Sequence, residues 1–234
     1  MTDLDYGRFE ALTFDCYGTL IDWEAGILGG LRPVVERLGA APSDDELLEV
    51  YAGFEADAEA GPYARYRTIL ERSLRQVAAH YGGTAKAEEI LAFGDSVGDW
   101  PAFADSAAAL NALHRRFRLG VITNCDDDLF ARSERRLGTT FDWTITAQAA
   151  GGYKPSHHNF ELALERTGLP RERILHVAQS LFHDHVPAKA MGFTTVWIDR
   201  RHDRSGFGAT PPAEAMPDAT FPDMASFAAA TQSH

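Results

Sequence analysis

The sequence predicts an α/β protein: a doubly wound, Rossmann-like parallel sheet core carrying an inserted helical cap domain. Three observations carry that prediction. Five short apolar runs, at residues 9–15, 119–124, 143–147, 174–178 and 194–198, read as buried strands. From the second run onward the strands alternate with segments of helical spacing, which requires right-handed crossovers and a largely parallel sheet. Between the first run and the second, residues 23–103 have helical periodicity and no convincing strand.

The first run holds Leu12 and Phe14 and stops at Tyr17-Gly18-Thr19, as a buried strand entering a turn does. Within the helical stretch the best segments are 44–58, preceded by the capping candidate Ser43, and 62–81, with Pro62 in a first-turn position. Segments 128–137, 158–166 and 186–191 supply the later helices. Residues 200–217, rich in Gly, Pro and charge, read as a surface loop before a last helix at 224–230. The 234 residues thus divide into a core, 1–22 and 100–234, and a cap, 23–99. The cap is expected over the carboxyl ends of the strands, where open parallel sheets hold their ligands.

Composition narrows the function. A net charge of −12 without a concentrated basic patch speaks against nucleic-acid and anionic-membrane partners, leaving a small-molecule substrate as the expected ligand. No apolar run is long enough to span a bilayer, and residues 1–7 have neither the basic start nor the apolar segment of a signal peptide; the expected location is cytoplasmic. The oligomeric state stays open, a homodimer being one option. The two cysteines, Cys16 and Cys125, exclude a disulfide framework. Each adjoins a candidate site residue, so a regulatory disulfide and plain packing are the two readings, and packing is favoured.

Four strand ends carry the chemistry. Asp15 closes the first strand in Phe14-Asp15-Cys16-Tyr17-Gly18-Thr19-Leu20, a carboxylate before a tight turn. By itself such an Asp is commonly a turn cap. Thr123 and Asn124 close the second strand with a hydroxyl and an amide able to hold a substrate oxyanion. Lys154 lies in Gly152-Tyr153-Lys154-Pro155, with Pro155 expected to open the next helix and the ammonium directed back into the crevice. Asp184 follows the fourth strand in Ala178-Gln179-Ser180-Leu181-Phe182-His183-Asp184. Each has a bland reading as strand-end filler, loop lysine or helix cap, but the four together are hard to explain that way.

This constellation resembles the haloacid dehalogenase superfamily over essentially the whole chain: D-x-Y-G-T-L, Thr-Asn after the second strand, G-x-K-P, and S-L-x-x-D. Within it the chain looks most like the 2-haloacid dehalogenases. The phosphatases of this fold carry a second Asp two residues after the nucleophile to protonate the leaving alkoxide; here that position is Tyr17, and a departing halide needs no proton. They also carry Gly-Asp where this chain has Ala178-Gln179, and losing one anionic ligand weakens a magnesium site. The resemblance therefore implies a reaction without metal or cofactor, Mg²⁺ entering only under the alternative of a small-molecule phosphatase. A non-catalytic binding protein is a third reading, disfavoured by intact Asp15 and Lys154.

The mechanism the resemblance implies is attack by Asp15 on the α-carbon of a small 2-haloacid, giving an ester and halide. Water then cleaves the ester to the 2-hydroxy acid. Lys154 would keep Asp15 ionised, Asp184 would position Lys154 or the water, and Tyr17, Thr19, Thr123, Asn124 and Ser180 would contact the substrate or the nucleophile. The sequence departs from the family pattern where the cap usually supplies an arginine: residues 39–53 contain none, and Arg65 and Arg67 do not match in position. Gln179, Leu181 and Phe160 also replace the family's usual residues. The pairs His183/His185 and His157/His158 lack the spacing of strong zinc motifs, although His183 is a candidate to line the pocket. The aromatics Trp23, Tyr51, Phe54, Tyr63 and Tyr66 read chiefly as packing, with some expected to face the crevice.

Overall fold

The computed structural model describes residues 4–204 and 206–232; the remaining residues of the expected core ranges, and the first three of the segment read for a signal peptide, lie outside them. A six-stranded sheet runs in the order β3-β2-β1-β4-β5-β6. Its strands are β1 (Ala11–Phe14), β2 (Arg118–Thr123), β3 (Trp143–Thr146), β4 (Ile174–Ala178), β5 (Thr194–Ile198) and β6 (Ala219–Phe221). Every pairing is parallel. The five strands read from the sequence are all present to within a residue or two at their ends. β6 was not anticipated, being three residues long and half exposed, too short for a period to show.

Alternation along the strands sorts the core into two faces. Ala11, Ile122, Ile145 and Ile174 pack on one side against Phe160, Ala163, Ala188 and Phe193. Leu12, Phe14, Val121, Leu175 and Val177 pack on the other, continuous with the large cluster that reaches into the helical insertion. The helices are α1 (Trp23–Arg37), α2 (Asp44–Glu59), α3 (Tyr66–His80), α4 (Ala87–Asp95), α5 (Ser106–His114), α6 (Asp127–Leu137), α7 (Ala147–Ala150), α8 (His157–Thr167), α9 (Val186–Ala190) and α10 (Met224–Gln232). Between β1 and β2, helices α1 to α4 make up the helical insertion, and α5 leads back into the sheet.

Local chemistry sets their boundaries. The Asp22 carboxylate accepts from Ala25 N at 3.1 Å and starts α1. Ser43 Oγ accepts from Glu46 N at 3.2 Å, and the acids Asp44, Asp45 and Glu46 in the first turn of α2 complement the helix dipole. Helix α3 corrects the expectation for Pro62, because the chain is not helical until Tyr66. Its first free N–H groups, on Tyr66 and Arg67, are taken by the buried Asp126 carboxylate at 3.0 and 3.2 Å, a cap supplied from the segment between β2 and α6. Helix α8 likewise starts at His157 behind the cap Ser156, so Pro155 precedes the helix rather than opening it. The expected surface loop at 200–217, of which residue 205 lies outside the described residues, is anchored at its start. Arg201 is 8% exposed and pairs with Glu24 and Asp45 at 2.7 Å each, while Arg200 donates to Thr19 O at 2.9 Å.

The strand order reverses direction of growth between β1 and β4, the position at which doubly wound sheets open a crevice beyond their strand ends. Phe14 is level with both Val121 and Val177, so the residues that follow these three strands emerge together.

Candidate active site

Asp15 leaves β1 at that crevice, its N–H held by Val177 O at 3.1 Å. The turn behind it requires Gly18, whose φ is +96° and whose added Cβ would meet Gln179 Oε1 and the Trp23 indole at 3.0 Å. That turn brings Thr19 back so that its hydroxyl donates to Asp15 Oδ2 at 2.7 Å, while the same hydroxyl accepts from Gln179 N at 2.9 Å. Thr19 thus fixes the nucleophile candidate without lining the cavity beside it.

Lys154 is 1% exposed, and its ammonium spends all three donors at 2.8 Å, on Asp15 Oδ1, Asp184 Oδ1 and Ile122 O. Asn124 holds its backbone from both sides, accepting from Lys154 N at 2.7 Å and donating to Lys154 O at 3.0 Å. Asn124 lines the cavity, but the expected oxyanion amide is largely committed to placing the lysine. Burial would lower the Lys154 pKa, yet the two carboxylates outweigh it and raise it from 10.5 to about 12.

Asp184 stands not in an open loop but in a buried π-helical turn, Leu181–His185, started by Ser180, whose hydroxyl accepts from His183 N at 2.9 Å. Its Oδ1 receives Lys154 and, at 2.9 Å, His176 Nε2; its Oδ2 is buried with no hydrogen-bond partner among the described residues. Burial pushes this carboxyl up, but the Lys154 ammonium and His176 overcome it and hold Asp184 well below the usual carboxylate range. Asp15 goes the other way, raised by burial and by the charge of Asp184 against the pull of Lys154.

The cavity over Asp15 measures about 20 Å³, room for little more than one water molecule. Asp15, Tyr17, Asn124, Lys154, Ser180 and Asp184 line it, so six of the eight expected site residues converge there. Thr19 stands behind Asp15. Thr123 does not line the cavity, and its buried hydroxyl has no hydrogen-bond partner among the described residues. Tyr17 presents its ring, for its hydroxyl pairs with Ser133 Oγ at 2.9 Å and receives the Cys125 thiol at 3.4 Å. Cys125 and Cys16 are both buried and free, and burial pushes both thiols up, the opposite of what a reactive thiolate needs.

His183 lines the cavity, and burial lowers its pKa to about 4, so it is neutral at neutral pH. His157 and His158 are exposed at the start of α8. Sequence reasoning missed His176, whose Nδ1 meets Thr13 Oγ1 at 3.0 Å and whose Nε2 steadies Asp184. It also missed Glu55 and Glu59, which α2 turns into the cavity. The signal was present: Tyr51, Glu55 and Glu59 repeat every fourth residue, on the helix face that buries Leu47 and Leu48. Glu55 Oε1 accepts both Tyr51 OH at 2.6 Å and Tyr66 OH at 2.7 Å. Burial raises its pKa to about 7 against those hydrogen bonds. Glu59, near Asn124 Nδ2 at 3.3 Å, is also held well above the usual carboxylate range by burial and by Glu55. Arg67 is turned away, paired with Asp95 and Asp128 at 2.7 and 3.0 Å.

A parallel-sheet hydrolase with an aspartate behind its first strand and a lysine bridging it to a second aspartate is the class this fold and site define. A profile of haloacid dehalogenase-like hydrolases matches residues 9–192, and the chain belongs to that family. It is 26% identical over 200 residues to an (S)-2-haloacid dehalogenase of Pseudomonas putida, covering 83% of this chain and 86% of the relative. A second (S)-2-haloacid dehalogenase, from Pseudomonas sp. strain YL, is 28% identical over 204 residues, 84% of each chain. The solved L-2-haloacid dehalogenase of Xanthobacter autotrophicus superposes with a TM-score of 0.77 at 18% identity, over 96% of this chain and 98% of that one. Among the described residues no helix is long and apolar enough to cross a membrane.

Proposed function

We propose that the chain hydrolyses a carbon–halogen bond in a small molecule through a covalent ester on Asp15, without metal or cofactor. The observation that carries this reading is the Asp15–Lys154–Asp184 ion cluster, which faces a small cavity with a tyrosine where a leaving-group acid would stand. Asp15 displaces halide from the carbon, and Lys154 offsets the carboxylate charge before attack and orients it. Water then adds to the ester carbonyl, and Asp184, tied to Asp15 through Lys154, positions the lysine or that water. The helical insertion serves as a cap, closing α2 and α3 over the strand ends and excluding bulk solvent.

The conversion of a 2-haloacid to a 2-hydroxy acid, the chemistry in the names of the relatives, is the version to test first. Incubation with chloroacetate and (S)-2-chloropropionate is expected to release chloride, and Asp15→Asn to abolish it. Phosphate release from a metabolite panel without halide release from any haloalkane would overturn the proposal in favour of the phosphatase. The donor set fits magnesium poorly: Lys154 already occupies one oxygen of each aspartate, and among the described residues no three His, Cys, Asp or Glu side chains are grouped to hold a metal.

A further inference from the structure

We propose that the end of the cavity formed by Glu55 and Glu59 is a subsite for a cationic group, so that the substrate is a small halogenated ammonium compound rather than a simple haloacid anion. This rests on the reading of Asp15 as nucleophile and names the substrate class for the same site.

The argument begins with charge. Lys154 is the only Lys or Arg among the described residues lining the cavity, and two aspartates already share it. His183 Nε2 lies 3.8 Å from Glu59 Oε2, but burial keeps that imidazole neutral. A substrate carboxylate would therefore enter a pocket with no free cation, where only the protons held by two buried glutamates could meet it: Glu55 is 3% exposed and the Glu59 side chain 8%. An ammonium reverses the balance, giving both glutamates the counter-charge they lack and drawing them into the ionised form.

Two further observations point the same way. Asp184 Oδ2, on a fully buried side chain that lines this cavity, is an acceptor with nothing donating to it among the described residues. Trp23, Tyr17 and Tyr66 also line the cavity, and aromatic walls interleaved with carboxylates are the surroundings in which ammonium groups are held. A carboxylate gains nothing from either feature.

The step balances as a nucleophilic displacement followed by ester hydrolysis. An Asp15 oxygen forms a bond to the carbon bearing the halogen, whose bond breaks with both electrons leaving on the halide. Water adds to the aspartyl carbonyl, the ester C–O bond breaks, and the amino alcohol leaves as one proton is released and the Asp15 carboxylate is restored. The ammonium is untouched, serving only for binding.

Calorimetric titration of the intact protein at pH 8 separates the two claims. Propylammonium is expected to bind more tightly than propionate; Glu59→Gln and Glu55→Gln, each nearly isosteric, should each weaken propylammonium by about tenfold or more, as for a lost hydrogen bond to a charged group. Halide release, corrected for an enzyme-free blank, should be faster from 2-chloroethylammonium than from chloroacetate. Binding of propionate but not propylammonium, or unchanged propylammonium affinity in both folded variants, overturns the subsite and leaves the hydrolytic reading standing. Propylammonium binding that depends on Glu59, with no halide released from either compound, upholds the subsite and sinks the dehalogenase reading.

Discussion

The ammonium of Lys154 and the carboxylate of Asp184 stand 2.8 Å apart with 1% and 0% of their side chains exposed, so neither charge has any solvent to fall back on. Lys154 is thus a structural as well as an electrostatic residue. Lys154→Met is expected to abolish turnover and to cost about 3–5 kcal/mol of stability by leaving two carboxylates buried without a cation. Adding Asp184→Asn should return much of that stability and none of the activity. A urea double-mutant cycle checks this: strictly additive losses would show that the pair is not energetically linked.

Glu55 makes a pH prediction of definite sign. The folded carboxyl keeps its proton to about pH 7, whereas an ordinary glutamate loses it near 4.5. Its contribution to stability is therefore full below 4.5 and lost as the pH rises through 7. Glu55→Gln, which cannot ionise but still accepts from Tyr51 and Tyr66, should gain stability relative to the parent by roughly 3 kcal/mol between pH 4.5 and 8. Paired urea titrations at the two pH values measure it, and a difference independent of pH would contradict the assignment.

The covalent step predicts where solvent oxygen goes. Under single turnover in ¹⁸O-labelled water, the label should enter Asp15 and not the product alcohol, because water attacks the aspartyl carbonyl. Mass spectrometry of the peptide containing Asp15 reads the shift. Label found in the product and absent from the peptide would indicate direct attack of water on carbon.

Exhaustive chelation with EDTA is expected to leave turnover unchanged, since Tyr17 and Gln179 stand where a metal-dependent relative carries acids. Loss of activity restored by Mg²⁺ would reject the metal-free mechanism.

Two glycines of α1 should respond oppositely to alanine. A Cβ on Gly26 would run into the Trp100 ring, whereas one on Gly29 meets nothing within 4 Å. Gly26→Ala should cost about 1–3 kcal/mol or more by overpacking. Gly29→Ala should stabilise by about 0.5–1 kcal/mol through chain entropy. Thermal melts of the two variants decide it.

The sheet was legible because buried parallel strands are apolar throughout, and Asp15, Lys154 and Asp184 were legible because polar residues at the ends of such runs stand out. The glutamates were legible only in part. Their spacing from Tyr51 puts Glu55 and Glu59 on the apolar face of α2, but the second hydroxyl that holds Glu55 belongs to Tyr66, which arrives from another helix. His176 was hidden inside a strand whose neighbours are all apolar. The start of α3 is not local for a similar reason: Pro62 is a local signal, while the acceptor that begins the helix lies 60 residues away in Asp126.

That last contact ties two parts of the molecule in one bond set. Asp126 occupies the residue position before α6, yet its side chain makes no cap there and serves α3 instead. The opening turn of α3 is therefore complete only while the insertion is seated on the sheet. Any movement that drew the insertion away from the sheet would strip two amides of their acceptor, so the seating of the insertion and the integrity of a helix end are one and the same set of bonds.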